Sequence, residues 1–242
     1  MAEFWTDFQA DFYLNFIKDD RWKFLTNGLK VTLQLTFASV LIGIIIGIVV
    51  AMIRSSHDKV AHEMRPGIWK NLLILLNGLC KIYLTVLRGT PVVVQILLMY
   101  FVILISVDSK LMVGIITFGI NSGAYVAEIV RSGIMSIDVG QFEAGRSLGF
   151  TYTQTMRHII LPQAFKTVLP SLASEFIVLL KETSIVGYIA LEDLTKGGDI
   201  IRSRTYSAFM PLIAVALIYL VMVTFFTMLV GQLERRLKNS ER

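Results

Sequence analysis

The chain is 242 residues long, 55% hydrophobic and 17% charged, with a mean hydropathy of +0.66 and a formal net charge of +5. So high an apolar share with so few charges excludes an ordinary soluble domain and points to an all-α integral membrane protein. Lys and Arg fall between the apolar runs without aromatic interleaving, which reads as topology charge and not as a nucleic-acid surface; the single cysteine, Cys80, excludes an intrachain disulfide and a multi-thiolate metal site.

The amino terminus, MAEFWTDFQADFYLNF, has no basic stretch ahead of an apolar core, so it does not read as a cleaved signal. Its aromatics suit a membrane interface, and residues 1–28 are expected to be an extracytoplasmic or interfacial segment. A helix rising about 1.5 Å per residue needs roughly 20 mostly apolar residues to cross a bilayer. Residues 29–53 satisfy this and contain Gly43 and Gly47, a G-x-x-x-G pair read as packing within one subunit in preference to self-association. Residues 113–131 and 207–231 also qualify, and 162–185 supplies a further span in which Pro170 is tolerable.

Residues 69–107 admit two crossings, or an interfacial helix feeding one. Two crossings would separate Arg131, Arg146, Arg157, Arg235, Arg236 and Lys238 from Arg54, Lys59, Arg65 and Lys70, against the positive-inside rule. One crossing puts all of them on the cytoplasmic side. Asn77 and Lys81 argue against a clean span in the first half, and in RGTP Thr90 can cap a helix whose first residue is Pro91. The expectation is therefore five transmembrane helices over 29–231, the amino terminus outside, and a basic cytoplasmic tail over 232–242.

Between the third and fourth spans lies a polar hairpin, 138–161. Asp138 with Gln141 resembles a capping box, Gly149 stands where a helix ends in a left-handed residue, and Thr151 with Gln154 repeats the start signal. A short helix is predicted over 139–148. Its mixture of Phe142, Leu148 and Phe150 with Glu143 and Arg146 calls for a partner protein or, on the plainer reading, lipid headgroups.

Here the chain resembles a known family. EAGRSLG followed by IILP is similar to the E-A-A…G…I-x-L-P signature of permease subunits of ABC importers, and LRGTPVVVQ, NSGAYVAEIVRSGI, EFIVLLKETSIVGYIALEDLT and LERRLK resemble the branch that imports polar amino acids. The likeness covers roughly 28–238. It implies the type I importer permease architecture in a bacterial cytoplasmic (inner) membrane, with two ATP-binding subunits, a second permease subunit (identical or homologous) and an extracytoplasmic solute-binding protein as partners. It also implies that Glu143, Ala144, Gly145, Arg146, Gly149 and Phe150 form the surface that couples to the ATPase. Gly145 stands where the signature has its second Ala, which costs the helix about 1 kcal/mol of propensity. Glu182 stands where many relatives carry Asp.

No G-x-x-x-x-G-K-[ST] occurs, so ATP and Mg belong to the partner subunits, with no cofactor, metal or catalytic residue expected in this chain. Polar residues at membrane depth are the candidates for the solute path. Asn121, Tyr125 and Glu128 share a helical face; the alternatives are interhelical hydrogen bonding for Asn121 and an ion pair of Glu128 with Arg131. Lys181, Glu182, Thr183 and Ser184 offer both charges and two hydroxyls to a zwitterionic solute, or else Lys181 and Glu182 snorkel outward. Glu175 precedes Glu182 by one heptad. The reading is a permease for a polar amino acid of the glutamine, glutamate, arginine, histidine or cystine type, and not an enzyme. The alternatives are an ion-gradient-driven secondary transporter, which would more often show an internal repeat, and a membrane scaffold.

Overall fold

The computed structural model describes residues 2–61 and 64–239. Residues 1 and 240–242 of the expected terminal segments lie outside the described residues, as does the side chain of Lys238. Every regular element among the described residues is helical. In chain order these are α1 (Ala2–Phe12), α2 (Trp22–Val60), α3 (Ile68–Gly89), α4 (Val92–Leu98) and α5 (Lys110–Met135). There follow α6 (Val139–Ser147), α7 (Tyr152–Thr155), α8 (Leu161–Glu182), α9 (Leu194–Thr205) and α10 (Phe209–Asn239).

α2, α3, α5 and α10 are long and apolar enough to cross a membrane. α8 has the length, at 22 residues, with Pro170 inside it, but is not among these four. The 69–107 region departs from expectation. α4 with its π-helical extension Met99–Ile103 covers only Val92–Ile103, about 18 Å at 1.5 Å per residue and short of a bilayer core of about 30 Å. By length and composition the helix that can cross here is α3, where the sequence indicated an interfacial segment. The polar residues that argued against it are absorbed by protein: Asn77 is buried, and Lys81 opens into a polar cavity described below. Thr90 sends its hydroxyl back to the Val86 carbonyl at 2.8 Å, closing the end of α3.

The chain divides into two compact units. One is drawn from Met1–Ala38, Val93–Phe118 and Ile177–Leu229, the other from Ser39–Val92, Gly119–Phe176 and Val230–Arg242. α2, α5 and α8 each contribute residues to both, whereas α3 belongs wholly to the second.

In the first unit, Phe16, Leu25, Leu194, Ile201 and Val215 form a core that joins the start of α2 to α9 and α10. Asp193, fully buried, caps α9 by accepting from the backbone N–H of Thr195 and Lys196 at 3.1 and 2.9 Å, and Thr32 accepts from the Leu194 N–H at 3.1 Å. Burial raises the Asp193 carboxyl above its usual range, and these donated hydrogen bonds oppose the shift.

In the second unit α5 is the central helix. Along 119–127 only Ile120 and Tyr125 escape full burial. Lipid tails are as apolar as Leu, so helices in a bilayer associate through close packing and not through the hydrophobic effect. Gly43 and Gly47 serve this: a Cβ on Gly43 would stand 2.9 Å from Ser122 Oγ, and one on Gly47 2.4 Å from Val126 Cγ1. The G-x-x-x-G pair therefore packs α2 on α5 within one chain. A second cluster, Ala51, Val126, Val130, Ile134, Ile160, Ala164 and Val168, carries the start of α8 and the hairpin before it.

Candidate functional site

The polar hairpin forms as its capping residues dictate. Asp138 Oδ1 accepts from the Gly140 N–H at 2.7 Å and starts α6. At the other end Gly149 adopts φ +80°, with the Phe150 N–H donating to the Gly145 carbonyl at 3.0 Å and the Gly149 N–H to Arg146 at 2.9 Å. This double bond pattern satisfies the last carbonyls, and the positive φ it requires suits glycine. Thr151 and Gln154 form the predicted capping box in full. The first box forms only in part, because the Gln141 side chain turns to Gln163 Nε2 at 3.3 Å.

Phe142 packs on the second unit's core, with Lys59 Nζ 4.6 Å from its ring centroid. Of the expected coupling residues, Glu143, Ala144, Arg146, Gly149 and Phe150 are exposed. Gly145 differs from these: it is buried, and a Cβ there would lie 2.6 Å from Thr155 Cγ2 and 2.7 Å from its hydroxyl. It seats α6 on α7 and is not part of the exposed surface, so the missing methyl that weakens the helix is also what lets the hairpin close. A cavity of about 460 Å3 beside it is lined by Lys59, Phe142, Glu143, Arg146, Phe150 and Tyr152, among others.

The polar face of α5 divides by depth. Asn121 is buried. Ser122 Oγ donates to Glu175 Oε1 of α8 at 3.2 Å. Tyr125 is exposed, with the Arg88 guanidinium 5.7 Å from its ring centroid. Glu128 is the hub of an ion-pair cluster: Oε1 lies 2.9 Å from Arg54 and 3.9 Å from Arg88, Oε2 3.6 Å from Arg131, and Arg131 in turn 3.6 Å from Asp58. The sequence foresaw Arg131 one turn on. It missed Arg54 and Arg88, although Lys81, Thr85 and Arg88 at i, i+4 and i+7 already marked one polar face on α3.

The end of α8 and the turn after it do not present their four polar groups together. Lys181 is exposed and Glu182 half-buried. Thr183 is buried and donates to the Leu180 carbonyl at 2.9 Å, while Ser184 lines a separate cavity with Tyr188, Thr195, Lys196 and Asp199. Among the described residues no group of three or more His, Cys, Asp or Glu side chains is placed to hold a metal ion.

Residues 68–239 match the family described as "Binding-protein-dependent transport system inner membrane component". The chain belongs to this family.

This permease is 36% identical over 222 residues to the arginine transport system permease protein ArtQ of Bacillus subtilis, covering 90% of this chain and 94% of that protein. It is 34% identical over 217 residues to a putative glutamine transport system permease protein GlnP of Rickettsia typhi, covering 88% and 93%. Among solved structures it resembles an amino acid ABC transporter crystallised with histidines, at TM-score 0.78 and 41% identity over 88% of this chain and 94% of that one. An inward-facing MetNI methionine ABC transporter shares the fold at TM-score 0.75 and 20% identity, over 91% and 99%. The chain is thus a membrane-embedded ABC importer permease, and ATP hydrolysis belongs to a separate subunit. It works with ATPase and binding-protein partners.

Proposed function

We propose that this permease moves a polar amino acid into a bacterial cell through five crossings, the amino terminus outside and the carboxyl terminus inside. Its relatives named for arginine and glutamine transport, each covering nearly the whole chain, carry the substrate class. α2, α5, α8 and α10 each supply one crossing. α3 and α4 together supply the fifth: α3 keeps to one compact unit while residues from Val93 belong to the other. This orientation leaves Arg54, Lys59, Arg65 and Lys70 on the same side as Arg131, Arg146, Arg157 and the basic tail, as the positive-inside rule requires.

Two such permeases, identical or homologous, enclose the path, served by two ATP-binding subunits carrying ATP and Mg and by an extracytoplasmic solute-binding protein. The path runs past Asn121, Tyr125 and the Ser122–Glu175 pair, and Glu182, Lys181 and Ser184 guard its outer end. Glu128 holds the ion-pair hub that fixes α2 and α3 on α5. Thr183, whose hydroxyl is spent on the Leu180 carbonyl, is a helix-end residue and not a solute contact.

The exposed row Glu143, Ala144, Arg146 and Phe150 takes the force of ATPase closure. The test is ATP hydrolysis in proteoliposomes by the permease with its partner subunits, with and without receptor loaded from a panel of amino acids. One loaded receptor is expected to stimulate hydrolysis with matching uptake. Glu143→Lys is expected to abolish that stimulation in a complex that still assembles; full stimulation in the variant removes Glu143 from the coupling surface. Uptake that follows an imposed ion gradient without nucleotide would overturn the whole reading in favour of secondary transport.

A further inference from the structure

At the end of α3 a cavity of about 580 Å3 is lined by Arg54, Lys81, Thr85, Arg88, Tyr125 and Glu128, among others. Its charge does not balance. Three cations face one carboxylate, for a formal surplus of two positive charges, and both oxygens of that carboxylate are already engaged by arginines. Lys81 is exposed and has no carboxylate partner within 4 Å among the described residues. Arg54 Nε is fully shielded and donates to nothing among the described residues. A partly desolvated set of cations with unspent donors is a site for an oxyanion, since guanidinium and ammonium groups bind such oxygens with charge-assisted hydrogen bonds.

The surroundings identify which oxyanion. Arg54 directly follows the apolar run 29–53 of α2, so the cavity lies where hydrocarbon gives way to headgroups. α3 presents Ile74, Leu75, Leu79, Ile82 and Val86 as an exposed apolar face. A ligand with a phosphate at one end and long apolar chains at the other fits both features.

We propose that this cavity binds the headgroup of an anionic phospholipid, with the phosphate between Lys81, Arg88 and Arg54 and the acyl chains along the apolar face of α3. The site adjoins the proposed solute path at Tyr125, which lines both, but its charge surplus does not depend on which amino acid is carried. Lipid in this place offsets one of the two surplus positive charges around Glu128 and holds the α3 end against α5.

The test uses the complete transporter in nanodiscs containing phosphatidylglycerol and phosphatidylcholine in equal parts, with retained lipid counted by native mass spectrometry. Wild type is expected to keep phosphatidylglycerol over phosphatidylcholine by about tenfold, equivalent to about 1.4 kcal/mol. Lys81→Gln and Thr85→Glu are each expected to erase most of that preference, and Lys81→Arg to keep it. Subunit stoichiometry and thermal unfolding of each variant report whether it has folded. Equal retention of the two lipids by wild type, or an unchanged preference in both disruptive variants, overturns the proposal. Displacement of the lipid by millimolar inorganic phosphate or by free amino acid assigns the site to a soluble anion and overturns the lipid reading equally.

Discussion

Gly145 shows how one hydrogen atom sets the shape of the hairpin. An alanine there gains up to about 1 kcal/mol of helix propensity. Its methyl, however, would stand 2.6 Å from the branched, buried Thr155, and forcing extra volume into packed surroundings costs about 1–3 kcal/mol. Gly145→Ala is therefore expected to lower the unfolding temperature of the purified complex, and Thr155→Ala in the same chain to restore most of the loss. Asp193 carries the opposite lesson. As a buried acid with a raised carboxyl, it is protonated more readily folded than unfolded, so stability present below about pH 3.8 is lost as pH rises through the folded value. Asp193→Asn keeps an acceptor for the α9 cap and is expected to flatten that decline, whereas Asp193→Ala loses the cap and costs about 1 kcal/mol. Thermal unfolding across pH separates the two variants. The cap itself was hidden in the sequence, because LEDLTK reads as an ordinary loop until Thr32 and Leu194 come together.

Among elements, the joint of α2, α3 and α5 decides the second unit. Its glycines bring backbones close, and Glu128 draws in arginines from α2, from α3 and from α5 itself. Glu128→Gln leaves Arg54 partly buried without its carboxylate, while Arg131 keeps Asp58. The expected cost is toward the lower end of about 3–5 kcal/mol, since Glu128 keeps 24% of its side-chain surface exposed. The double variant Arg54→Gln with Glu128→Gln is expected to lose less than the two single losses summed, which chemical denaturation in detergent would measure. The α2–α5 contact was legible because G-x-x-x-G is a local pattern. The Arg54–Glu128 pair was not, because it spans 74 positions and nothing in either segment names the other.

For the whole molecule, the five-crossing orientation makes a prediction about sidedness. In a Cys80→Ala background, a cysteine at Ser203 in α9 is expected to react with a membrane-impermeant maleimide in intact cells. One at Ser147, at the end of α6, should react only after the membrane is opened. Labelling of Ser147 in intact cells would reverse the topology. The sequence by itself determined that the chain lives in a membrane, where its hairpin helix begins and ends, and which family it joins, because apolar runs, caps and the left-handed glycine act over a few neighbouring residues. Only the tertiary structure decided that Gly145 faces inward, that α3 and not the segment after Pro91 is the long helix, and that Arg54, Lys81 and Arg88 gather around one glutamate. These depend on burial and charge balance between distant segments, and a local pattern carries no record of what packs against it.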